Sequence, residues 1–96
     1  MKKEELQVLI RKYDKDKVLF SYHYTKERED VRFLKEEVIE TLFTKNILNF
    51  KEKERDTVKL WLEFDEKHDM VIILRFFQEK IKIITAYPQR IERRPK

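Results

Sequence analysis

The sequence predicts an α+β domain in which N-terminal helices pack on one face of a three- to four-stranded antiparallel sheet. Two observations carry this. Apolar residues recur at helical spacing in the first half of the chain, and near residue 57 the period falls to two. The links between the later segments are too short for parallel crossovers, so those segments are expected to run antiparallel.

A first helix is expected from about Lys3 to Tyr13, where Leu6, Leu9, Ile10 and Tyr13 stand at i, i+3, i+4 and i+7. Asp14-Lys15-Asp16-Lys17 breaks it. Residues 17–22, KVLFSY, are short and rich in β-branched and aromatic side chains, which favours a brief strand or extended lead-in. Ser21 or Thr25 can cap a short charged helix from Thr25 to Arg32, with Lys26 and Asp30 at i, i+4. Another helix is expected from Lys35 to about Asn46. Glu36 and Glu37 occupy its first turn, where the dipole favours them, and Val38, Ile39, Leu42 and Phe43 form its apolar face. Asn46 or Asn49 would end it.

Val58, Leu60, Leu62 and Phe64 then alternate with Lys59, Trp61 and Glu63, the pattern of a strand with one face on the core. Asp65 to Asp69 read as a polar turn. Met70 to Phe77 is apolar except for Arg75, so this strand is expected to be central and covered on both faces. Gln78 and Glu79 turn the chain, and Lys80 and Lys82 alternate with Ile81 and Ile83 in a last strand ending at Tyr87-Pro88. Residues 57–87 thus read as a three-stranded antiparallel meander. Residues 88–96 form a basic tail, flexible or docked on the sheet edge, with Arg90, Arg93, Arg94 and Lys96 against a lone Glu92.

Ninety-six residues suit a single domain over 1–96. Charged residues make up 44% of the chain, against about 25% in an ordinary soluble domain, and both signs are interspersed. Together with no cysteine and no glycine, this composition suggests a heat-adapted protein. Without glycine, any left-handed backbone position falls to other residues, for which Asn46, Asn49, Asp65, His68 and Asp69 are the candidates. Disulfides, thiolate metal ligands, phosphate loops, dinucleotide fingerprints and nucleophile elbows are all excluded. The N-terminus has no apolar leader and no apolar run is long enough to span a bilayer, so the expectation is a cytoplasmic protein with no membrane partner.

The stretch SYHYTKERED, Ser21 to Asp30, holds one of the two histidines. His23 there can act as general acid or base near neutral pH, or cap a helix or bond a backbone group. Neither histidine has a second ligand at helical spacing, so no metal is expected. Arg28 and Arg32, at i, i+4, suit two phosphates, while Glu27, Glu29 and Asp30 beside them can neutralise them. Arg75, in its apolar strand, must pair or reach a functional face. Either Glu63 or another acid neutralises it, or it binds anions from an exposed sheet face. Lys59 and Trp61, opposite Leu60 and Leu62, form a base-stacking platform, a partner-binding patch or an ordinary cross-strand pair.

Ser21-x-His23, the arginines Arg28 and Arg32, the EEVIETL helix from Glu36 to Leu42 and the final IITAYP from Ile83 to Pro88 resemble a group of small uncharacterised prokaryotic domains. The likeness spans roughly Leu19 to Pro88. That group is similar in layout to the RelE/ParE-type and BrnT-type ribonuclease toxins, which place helices before an antiparallel sheet and use a basic sheet face. The resemblance implies that His23, Arg28, Arg75 and Tyr87 line such a face; one departure is that Arg28 follows His23 by five residues where four is the pattern.

The expected function is a non-catalytic RNA-binding or protein-interaction module of toxin-like fold. The alternative is a metal-independent endoribonuclease toxin. In that case His23 and Tyr87 would move protons or stack a base, Arg28 and Arg75 would clamp the phosphate, and no cofactor is needed. Arg32, Lys59, Trp61, Arg90, Arg93 and Arg94 would add RNA affinity in either case. The partners expected are RNA, an antitoxin or other protein, or a second copy in a homodimer.

Overall fold

The computed structural model describes residues 1–22, 24 and 33–95. Its elements are α1 (Lys3–Arg11), β1 (Val18–Phe20), α2 (Lys35–Thr44), β2 (Ile47–Glu52), β3 (Thr57–Glu63), β4 (His68–Phe77) and β5 (Lys80–Arg90). Short 3-10 turns precede β1, at Lys15–Lys17, and follow β5, at Ile91–Arg93. The expected charged helix over 25–32 lies outside the described residues.

Both helices begin in the same way. The N–H of the residue before the helix donates to the carboxylate of a glutamate three positions on, Lys2 to Glu5 at 2.9 Å and Leu34 to Glu37 at 3.1 Å. This satisfies a donor that the helix cannot pair internally. Leu6 and Ile10 of α1 and Val38 and Leu42 of α2 are buried with Leu60, Leu62, Ile72, Leu74, Ile81 and Ile83 of the sheet. The core therefore lies between the helices and one sheet face.

The sheet has five strands in the order β1-β5-β4-β3-β2. The meander of β3, β4 and β5 is antiparallel, as its short turns require. The predicted three- to four-stranded antiparallel sheet needs two corrections. β2 adds a strand antiparallel to β3, and β1 joins the other edge parallel to β5, pairing Val18 with Ile81 and Phe20 with Ile83. The sheet is therefore mixed.

Bulges explain what the sequence pattern hid. In β2 the register shifts between Ile47 and Asn49, so Leu48 disrupts the alternation where the sequence had suggested a helix end. In β5 the register skips Ile84, since Leu74 pairs with Ile83 while Ile73 pairs with Thr85. The Ile84 carbonyl accepts from Ser21 Oγ at 2.9 Å, and the same Oγ accepts from the Tyr24 N–H at 3.1 Å. Ser21 thus ties the Tyr24 backbone to the bulge, while the helix it is expected to cap lies outside the described residues. Among the described residues no strand pairs with the outer edge of β5 beyond Ile83, so Pro88 can sit within it without leaving such a strand short of a donor.

Left-handed backbone is found elsewhere than expected. Among the described residues, Arg55, Asp56, Gln78 and Glu79 have φ of 32°, 54°, 47° and 62°. Asn46, Asn49, Asp65, His68 and Asp69 do not. The reason is turn length: Phe77 pairs with Lys80, leaving a two-residue hairpin loop that demands positive φ at both positions. The β3–β4 link is longer, and Asp65 organises it with its side chain, accepting from the Lys67 and His68 N–H groups at 2.8 and 2.7 Å.

Replacing Gln78-Glu79 by Asn-Gly is expected to stabilise the fold by about 1 kcal/mol, a rise in Tm of roughly 4–8 °C for a domain of this size. Thermal denaturation followed by circular dichroism measures it; a fall in Tm would mean that the turn is built differently.

Candidate functional site: the open sheet face

The helices cover one face of the sheet and leave the other open. Registered partners share a face, so the pairing defines the rows of the open face. Nearest the hairpin turns, Phe77 faces Lys80; next come Thr57, Arg75, Lys82 and Leu19; then Lys51, Lys59, Ile73 and Thr85; then Asn49, Trp61, Val71 and Tyr87; and last Glu63, Asp69 and Gln89. Two ends of different character result.

At the far end from the hairpins lies Asp69, 1% exposed. Arg94 closes on it with two hydrogen bonds, Nε to Oδ2 at 2.8 Å and Nη2 to Oδ1 at 2.7 Å. This forked pair raises the affinity of Arg94 for its proton, chiefly through the hydrogen bonds to Asp69. Ile91 N–H donates to Lys67 O at 3.0 Å, and Asn49 Nδ2 donates to Pro95 O at 3.4 Å. The chain after β5 therefore crosses this end of the open face toward β2 as a strap. Val71 and Trp61 lie beside its anchors and are buried on a face where neither helix packs. Trp61 Nε1 donates to Gln89 Oε1 at 3.0 Å, and the Lys59 ammonium sits 5.0 Å from the ring centre.

This arrangement corrects several expectations. Trp61 is 5% exposed with a lysine over its ring, so it offers no base-stacking platform. The tail is docked across the face, Arg94 is used in the strap, and Arg90 pairs with Glu92 at 3.1 Å. Arg93 stays exposed. Arg75 and Glu63 stand at opposite ends of the sheet, six residues apart along β3, or roughly 20 Å, so they do not pair. β4 is covered on both faces only in its first half, from Asp69 to Ile72.

The hairpin end is basic and open. Lys51, Lys59, Arg75 and Lys82 place one cation on each of four neighbouring strands, and Lys80 adds a fifth beside the turn. Among the described residues no acid lies on this face between the hairpins and the row of Trp61. Arg75 is exposed and makes no ion pair among the described residues. Glu54 and Arg55 of the β2–β3 turn stand beside it and line the same shallow recess.

Of the residues singled out from the sequence, Arg75, Lys59 and Tyr87 share the open face, and His23, Arg28 and Arg32 lie outside the described residues. Arg75 and Tyr87 are two rows apart, about 13 Å along the strands, so the sheet does not bring them into contact. Lys51 and Lys82 were missed as site residues. Lys82 was visible as the outward member of an alternating pair, whereas Lys51 depended on the unrecognised β2. His68 Nδ1 lies 3.2 Å from Asp65 Oδ1. The Asp65 carboxyl is held below its ordinary range, first by the hydrogen bond from the Lys67 N–H. Its contribution to stability is therefore present above the ordinary carboxyl range and lost on acidification through the lowered value.

A separate crevice of about 330 Å³ lies between α1 and the sheet, lined by Leu6, Leu9, Tyr13, Phe50, Val58 and Phe76 among others; none of the predicted site residues reaches it. Among the described residues no group of three or more His, Cys, Asp or Glu is placed to hold a metal ion, and no helix is long and apolar enough to cross a membrane. No family model, curated protein or solved structure matches the chain.

Arg94→Met leaves the Asp69 carboxylate buried and unpaired, and is expected to cost about 2–3 kcal/mol, below the roughly 3–5 kcal/mol for breaking a fully buried pair because Arg94 is 34% exposed. Denaturant unfolding measures the loss. Fluorescence of Trp61, the sole tryptophan, should shift to the red as the strap loosens. An unchanged emission maximum and midpoint would mean that the strap does not seal this end.

Proposed function

We propose that this protein is a non-catalytic RNA-binding module whose ligand lies on the hairpin end of the open sheet face. The observation that carries the reading is the placement of Lys51, Lys59, Arg75 and Lys82, one on each of four neighbouring strands with no acid between them. Like charges set side by side across a sheet repel, and directly opposed pairs such as Lys51 with Lys59 and Arg75 with Lys82 destabilise it. An extended polyanion removes that repulsion on every strand at once, and the counterions it releases drive binding. A compact anion would engage one pair and leave the other. A protein partner would have to present acids at matching intervals over the same span, whereas the phosphate backbone of RNA does so by its chemistry.

The test is fluorescence anisotropy of a labelled single-stranded RNA over a range of salt concentration. Four phosphate contacts should give a log–log slope near −3, from about −0.7 per contact on a single strand. Arg75→Glu with Lys82→Glu should weaken binding by at least about tenfold, on the order of 1.4 kcal/mol, without lowering Tm. Absence of binding at low salt, or binding indifferent to both substitutions, would overturn the reading, and a protein ligand would then be sought for the same face. Electrophoresis of the same RNA with chelator present tests the catalytic alternative. Under the proposal the RNA stays intact; cleavage abolished by Arg75→Ala would make the protein a ribonuclease of the toxin type.

A further inference from the structure

The cations at the hairpin end are interleaved with exposed apolar side chains. Phe77 is 44% exposed and Leu19 41%, and both project from the open face. Leu19 adjoins Lys82, which adjoins Arg75, so an apolar group and two cations follow one another across β1, β5 and β4. Phe77 stands two residues beyond Arg75 on the same face, about 7 Å away, next to Lys80. At the opposite end Asp69 and Glu63 share the last row, Asp65 and Glu66 follow in the turn, and the strap covers Asp69. The strap blocks a ligand toward that end, and the free path runs across the strands from β2 to β1.

We infer that the ligand of this face is single-stranded RNA laid across the strands, its backbone on Lys51, Lys59, Arg75 and Lys82, one base stacked on Phe77 and a neighbouring nucleotide against Leu19, two strands away. The inference rests on the RNA-binding reading and adds strandedness, path and a recognition residue to it. A duplex keeps its bases paired and stacked inside, so it could satisfy the lysines and arginine but would set Phe77 and Leu19 against sugar and phosphate. An unpaired strand offers base faces, and stacking on an aromatic ring tolerates any base. Five strands at about 4.8 Å give a path of roughly 19 Å, enough for on the order of four nucleotides.

The experiment compares oligouridines of two, four, eight and sixteen nucleotides with a sixteen-base-pair RNA duplex, by anisotropy at one salt concentration. It uses the full chain, Phe77→Ala, Phe77→Trp and Leu19→Ala, each checked for an unchanged Tm. Affinity should climb steeply up to about four nucleotides and only slowly beyond, and the duplex should bind at least about tenfold more weakly. Phe77→Ala should weaken the single strand about five- to hundredfold, with Phe77→Trp restoring it and duplex affinity unmoved. Equal binding of duplex and single strand, or a Phe77→Ala protein that binds oligouridine as the parent does, overturns this inference while RNA binding itself stands. Failure of the parent chain to bind either form overturns both.

Discussion

A carboxylate removed from water on the sheet face opposite α1 and α2 is the constraint on which this molecule's surface depends. A buried carboxylate is costly unless paired, and the forked hydrogen bonds from Arg94 make the burial of Asp69 tolerable. Because Arg94 lies beyond the last strand, pairing it draws the end of the chain back across β4 toward β2. Trp61 and Val71, in the row beside the strap's anchors, are buried although they lie outside the main core.

The division also sorts charge. On the face itself Glu63 and the paired Asp69 stand in the last row, under the strap, while Lys51, Lys59, Arg75 and Lys82 stand in the rows toward the hairpins. A net charge of +4 says little by itself, since the chain holds 23 basic and 19 acidic side chains. The placement of Lys51, Lys59, Arg75 and Lys82 on neighbouring strands is what gives the face a sign. Apolar side chains follow the same division: those near the strap are buried, whereas Phe77 and Leu19 near the hairpins remain in contact with water. The end that keeps its apolar groups exposed is also the end that keeps its cations unneutralised, and the proposed ligand accounts for both.

Much of the fold was legible because most elements have regular periods. Leu6 and Ile10, then Val38 and Leu42, mark the buried faces of both helices, and alternation from Val58 to Leu62 marks β3. Irregular elements escaped. The bulge at Leu48 removed the alternation that would have revealed β2, and β1 has only three residues. Its parallel pairing joins residues some sixty positions apart, which no local pattern encodes. At the site, the apolar strand left Arg75 either paired with an acid such as Glu63 or exposed on a sheet face, and the register, which puts Glu63 at the far end, excludes that pair. Trp61 and Arg94 were misjudged for one reason: a side chain's availability is set by what folds over it, and the strap is a tertiary feature with no sequence period. His23, from which the sequence argument for chemistry began, lies outside the described residues.

The central claim is that the strap end is closed and the hairpin end is the binding surface. Titrating isotope-labelled protein with a short single-stranded RNA and following backbone amide shifts by NMR tests it most directly. The account predicts shifts concentrated on Leu19, Lys51, Lys59, Arg75, Phe77 and Lys82, with the amides of Asp69, Gln89 and Arg94 unmoved. Shifts centred on Trp61, Asp69 and Arg94, or spread over the helix-covered side, would contradict it.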